Sequence, residues 1–106
     1  MLENAQFHCL SGSYLEALAD ELEARDADGT LDVDLTEGML TITLADKRQY
    51  VISKHEPSKQ VWLSSPVSGG MHFAYDEDDS AWELPDGRRL CHILADELHE
   101  ATGLHF

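Results

Sequence analysis

The chain has 106 residues, with 21 Asp and Glu against 7 Lys and Arg and a formal net charge of −14. That length suits one domain with one core, and 42% apolar with 26% charged residues is a globular composition, not a disordered one. No apolar run of about 18 residues is present to cross a membrane, and a polyanion repels nucleic-acid phosphates, so the charge points to cations or basic protein surfaces as partners.

Residues 5–28 carry the first pattern. Phe7, Leu10, Tyr14, Leu18 and Leu22 recur at spacings of three and four and predict one apolar stripe of an amphipathic helix, with Glu16, Asp20, Glu23 and Ala27 on another face. Its start has two readings, a cap at Asn4 or a capping box from Ser13 to Glu16, and continuation of the stripe through Phe7 and Leu10 favours the longer helix. Gly29 is expected to end it.

From Leu31 the period becomes two. Leu31, Val33 and Leu35 alternate with Asp32 and Asp34, and after a Glu37-Gly38 turn Leu40, Ile42 and Leu44 alternate with Thr41 and Thr43. Further strands are expected at 48–54, 60–64, 71–75 and 81–84, and a closing helix at 90–102 with Leu90, Ile93, Leu94, Leu98 and Ala101 inward. Connections this short imply hairpins. The fold class is therefore α+β: a two-layer α-β sandwich, one domain over 1–106, with two helices packed on one face of an antiparallel sheet.

The charge is unevenly spread, since residues 1–46 hold eleven acids against the single base Arg25. Like charges at i,i+4 on a helix are mildly destabilising, so an acidic ridge from the first helix to Asp32 and Asp34 is more than solvation requires. Its hard oxygen donors suit Mg²⁺, Ca²⁺, Mn²⁺ or iron, held weakly at an open site. In the fourth strand Val61 and Leu63 should face the helices, which leaves Gln60, Trp62 and Ser64 on the other face. Tryptophan is enriched among binding anchors; the plain alternative is a Trp covered by a loop or paired with a Thr on the next strand. Cys9 and Cys91 allow one bridge, but two reduced, half-buried thiols are expected. His92, Asp96 and His99 share a helix face and read as surface residues. No GxSxG, P-loop, HExxH or GxGxxG sequence is present.

The segment Tyr50–Pro66, with Pro57, Gln60, Trp62 and Leu63, closely resembles the signature strand pair of the frataxin family. The likeness extends over nearly the whole chain, through the acidic first helix, Leu31–Leu35, Gly38–Ile42, Gly70–Phe73 and the Asp86-Gly87 turn into the last helix. It implies the frataxin α-β sandwich and a role in iron–sulfur cluster assembly, with weak iron binding and docking on a cysteine desulfurase and its iron–sulfur scaffold protein. Carried over, the iron ridge is Asp20, Glu23, Asp26, Asp28, Asp32 and Asp34 with Glu16 and Glu21 as neighbours, and the partner contacts are Gln60, Trp62 and Ser64. The start of the chain lacks both a leader and an Arg-rich transit bias, so the expected compartment is the bacterial cytoplasm, or the mitochondrial matrix for a trimmed form. Two rivals follow. A ferroxidase would need inward Glu and His ligands at fixed spacing, and the first helix offers only His8. A plain acidic binding module would bind its partner indifferently to iron.

Overall fold

The computed structural model describes residues 3–26, 29, 31–36 and 38–103, with the side chain of Asn4 left out. Eight elements follow in order: α1 (Asn4–Arg25), β1 (Asp32–Thr36), β2 (Met39–Thr43), β3 (Gln49–His55), β4 (Gln60–Ser65), β5 (Gly69–Asp76), β6 (Ala81–Glu83) and α2 (Leu90–Thr102). The six strands form one antiparallel sheet in the order of the sequence, as hairpin connections require. Register then sorts the two faces. Leu40 pairs with Ile52, Ile42 with Tyr50, Ile52 with Leu63, Val61 with Phe73 and Tyr75 with Trp82. Except for Tyr75, which is partly buried against them, these residues form one buried cluster with Phe7, Leu15 and Leu22 of α1 and Leu90, Leu94 and Leu98 of α2, so both helices cover the same face. The expected sandwich is present.

The helical stripe needs correction. The buried line of α1 is Phe7, Ser11, Leu15, Ala19 and Leu22, whereas Leu10, Tyr14 and Leu18 only flank the core. Ser11 is tolerated at its centre because its hydroxyl donates to the Phe7 carbonyl at 2.7 Å. Neither expected start is used: Glu3 is the N-cap, and its N–H donates to Gln6 Oε1 at 3.1 Å. The helix also ends early, at Arg25. Asp26 begins the turn, donating its N–H to the Leu22 carbonyl at 3.0 Å and accepting the Leu31 N–H on Oδ2 at 2.8 Å. Gly29, at φ +67°, lies beyond the end as part of that turn. In α2, Ala101 is exposed, and both cysteines are free and exposed, not half-buried.

Two turns share one construction. Leu44-Ala45-Asp46-Lys47-Arg48 and Leu84-Pro85-Asp86-Gly87-Arg88 each bond the leucine N–H to the arginine carbonyl at 2.8 Å. In each, the aspartate accepts the N–H of the arginine two residues on, at 3.1 and 3.0 Å, and then its Nε–H, at 2.7 and 2.8 Å. These donors, the backbone N–H first, hold both carboxyls below the usual carboxylate range. The fourth position is left-handed in both, φ +73° at Lys47 and +90° at Gly87.

Glu97 of α2 is an inward charge that the leucine pattern concealed. Its Oε1 accepts the Tyr50 hydroxyl at 3.2 Å and the Ser65 hydroxyl, and its Oε2 accepts the Ser68 hydroxyl at 2.7 Å. Ser65 Oγ in turn accepts the N–H groups of Val67 and Ser68, each at 3.0 Å. One carboxylate thereby fixes α2 against β3 and the turn after β4.

Two predictions follow from these contacts. Lys47→Gly should raise stability, by up to about 1 kcal/mol, and Gly87→Ala should lower it by about 1–2 kcal/mol, because a Cβ is strained in the left-handed region; urea unfolding of the two variants measures both. Burial first, and the Glu97 carboxylate second, push the Tyr50 hydroxyl up to about 12. The unfolded chain therefore releases this proton from about pH 10, while the folded chain keeps it. Stability should be full below pH 10 and fall between pH 10 and 12, with a shallower fall in Tyr50→Phe.

Candidate functional site

Two surfaces escape the core, the edge where α1 runs along β1 and the sheet face turned away from the helices. α1 packs chiefly against β1, with smaller contacts to β2 and β3. Glu16, Asp20, Glu21 and Glu23 are exposed on α1, and Asp32 and Asp34 are exposed on β1, which is an edge strand. These side chains differ in freedom. Glu21 is paired with Arg25 one turn on, and Asp26 is committed to the Leu31 N–H. Asp28 lies outside the described residues. Among those described, no three ridge carboxylates bring oxygens within 4.8 Å of one another. The ridge is thus an array of hard donors facing water, suited to weak, exchangeable binding of a hard cation and not to an enclosed centre. His8, the histidine of α1, points away from this array to Glu56, at 3.4 Å.

The residues that do converge are Asp76, Asp79 and Glu83, around the β5–β6 turn. Their place there is structural. Asp76 Oδ1 accepts the N–H groups of Asp78 and Asp79 at 2.9 and 3.4 Å, and Arg89 reaches Glu83 at 3.2 Å and Asp79 at 3.5 Å. The backbone donor lowers the Asp76 carboxyl, while desolvation, and then Asp76, raise that of Glu83. Arg89 itself is the N-cap of α2 and makes no side-chain cap. Its guanidinium faces the acidic turn instead.

On the open sheet face the register sets Trp62 between Ser53 of β3 and His72 of β5, with Gln60 between His55 and Ala74. Gln60, Trp62 and Ser64 therefore face away from the helices, as alternation predicted. Sequence reading did not find what surrounds the indole. His72 stacks on one neighbouring side with ring centroids 4.2 Å apart and planes 13° apart, and His55 stacks at 3.9 Å and 15°. The indole N–H donates to Gln60 Oε1 at 3.3 Å, and His55 Nδ1 lies 2.7 Å from Ser58 Oγ. The pairing of β4 with β5, together with the diagonal neighbour on β3, makes this contact possible. A histidine two residues past the cross-strand partner is the signal that could have revealed it. Met39, 41% exposed, extends the same row beyond Ser53.

The model of the frataxin-like domain matches residues 1–104. The chain belongs to the frataxin family. It is 38% identical over 105 residues to a Pseudomonas fluorescens protein named iron–sulfur cluster assembly protein CyaY, covering 96% of this chain and 91% of that one. It is 35% identical over 97 residues to mitochondrial frataxin of Dictyostelium discoideum, spanning 88% of this chain and half of that one. Among solved structures, frataxin from Psychromonas ingrahamii superposes with a TM-score of 0.86 over 98% of this chain and 95% of that one, at 19% identity, a likeness of fold. Trimeric yeast frataxin, described as complexed with ferrous, superposes with a TM-score of 0.76 at 34% identity, over 89% and 86% of the two chains.

The ridge separates carboxylates that hold the fold from those that do not. Asp26→Ala should cost about 1–2 kcal/mol in urea unfolding, since the Leu31 N–H loses its acceptor, whereas Asp20→Ala and Glu23→Ala should stay within about 0.5 kcal/mol of the parent.

Proposed function

We propose that this frataxin-family chain is an iron-binding accessory protein of iron–sulfur cluster assembly, which docks on a cysteine desulfurase and its scaffold protein and regulates them or supplies iron. The observation that carries this reading is the exposed acidic edge of α1 and β1, where six carboxylates of the described residues (Glu16, Asp20, Glu21, Glu23, Asp32 and Asp34) face water with Arg25 as the neighbouring base. Guarding the free edge of β1 accounts for Asp32 and Asp34, but so much like charge along one edge exceeds that need, and a basic protein surface or a hard cation relieves it. Relatives named for iron–sulfur cluster assembly, and a yeast relative described as complexed with ferrous, support the same assignment. Iron here is cargo held by outward carboxylates. Gln60, Trp62 and Ser64 supply a second contact on the open sheet face. Iron on Asp20, Glu23, Asp32 and Asp34 lowers the negative charge that a basic partner meets, so metal and partner are coupled.

The test is sulfide production by a purified cysteine desulfurase with its scaffold, with and without this chain at fixed iron. A change in rate is expected, and its sign separates activator from inhibitor. Asp20→Lys combined with Glu23→Lys should weaken docking about five- to tenfold at low salt and less at high salt. No effect of the parent chain on sulfide at any iron level would overturn the reading.

A further inference from the structure

Trp62 is the large apolar side chain at the centre of the open sheet face, yet its indole is not free. His55 and His72 lie nearly parallel to it, at centroid distances of 3.9 and 4.2 Å and interplanar angles of 15° and 13°. They come from β3 and β5, the strands on either side of β4, so the indole is sandwiched, with one imidazole against each flank. The indole is also held in its own plane, by its N–H on Gln60 Oε1, and His55 is steadied through Ser58 Oγ at 2.7 Å. A ring enclosed in this way offers a partner its rim. Stacking by a partner's guanidinium or aromatic ring would first require an imidazole to leave.

We propose that His55 and His72 are positioning residues that clamp the Trp62 indole edge-on, so that the docking partner meets the rim of a three-ring slab and not the face of a single indole. This rests on the reading that the Trp62 face docks on the desulfurase–scaffold assembly.

The experiment has two readouts on the intact chain. The first is the indole N–H resonance of Trp62 by NMR, identified by its loss in Trp62→Phe. The second is affinity for the purified desulfurase–scaffold assembly at pH 8. The pair His55→Ala with His72→Ala should shift the resonance toward that of a free indole and weaken docking about three- to tenfold. The pair His55→Phe with His72→Phe keeps a ring on each flank of the indole, so docking should stay within about twofold of the parent. Docking by the alanine pair that equals or exceeds the parent's, while Trp62→Ala docks poorly, would overturn the clamp and leave the docking reading intact. Parent-like docking by Trp62→Ala would overturn the docking reading itself, and the role given to the clamp with it.

Discussion

Six antiparallel strands make a sheet with more area than two helices can cover, and among the described residues cover exists for one face only. Everything else in the molecule answers to that limit. On the covered face, side chains alternate into a continuous apolar layer from Leu40 to Trp82. On the open face the same alternation must place residues that tolerate water, and Thr41, Thr43, Gln49, Ser53, Gln60 and Ser64 do so. Met39, Val51 and Trp62 depart from the rule, and Trp62 is the largest of them. The area of Trp62 is met by two imidazoles and a glutamine from its own face, in place of a third layer. A large aromatic anchor can therefore stand on a wet sheet without drawing a second copy of the sheet onto it.

The free edges of the sheet are the second consequence. An open sheet presents unpaired backbone at both ends, and charge or brevity discourages another strand from adding there. β6 is three residues long, and beyond it the Glu83–Arg89 pair closes the end. β1 is longer and relies on Asp32 and Asp34. Those carboxylates guard the edge whether or not they also bind a cation, and the exposed acids of α1 lie along the same strand. Charge that protects the fold and charge available to a partner are thus partly the same atoms. Asp26 marks the boundary, because its carboxylate holds the turn from α1 into β1.

Much of this was legible in the sequence because period is a robust signal. The two-residue alternation of Leu40, Ile42 and Leu44, and of Val61 and Leu63, fixed which face Trp62 would occupy. The helical stripe was less secure, since a buried serine and a buried alanine look polar or neutral in a pattern of large apolar residues. Ser11 and Ala19 lie on the true line, and Tyr14 and Leu18 beside it. The helix end was misplaced because Asp26 competes for the chain through its side chain, a local hydrogen bond that no periodicity reports. Glu97 and the histidines around Trp62 were hidden for a different reason. Their partners are set by register across strands and layers, and Glu97 meets a tyrosine 47 residues away.

The two surfaces are not independent. Asp34 pairs with Thr41, Thr41 with Val51, and Val51 with Ser64, so the carboxylates of β1 stand on the same face as Trp62, three strand spacings away, or roughly 14 Å. A protein seated on Trp62 with an ordinary footprint of about 800 Å² is wider than that. It reaches Asp32 and Asp34 unless it is offset entirely toward β6. A cation on those two residues would then lie at the rim of the docked surface, where it alters the potential that the partner meets. The carboxylates of α1 belong to the other layer and would act at longer range. Reciprocity completes the argument: if a cation at β1 changes affinity for the partner, the partner changes affinity for that cation by the same factor. An open, weak site is then an advantage, because a site that already encloses its metal has little left for docking to change.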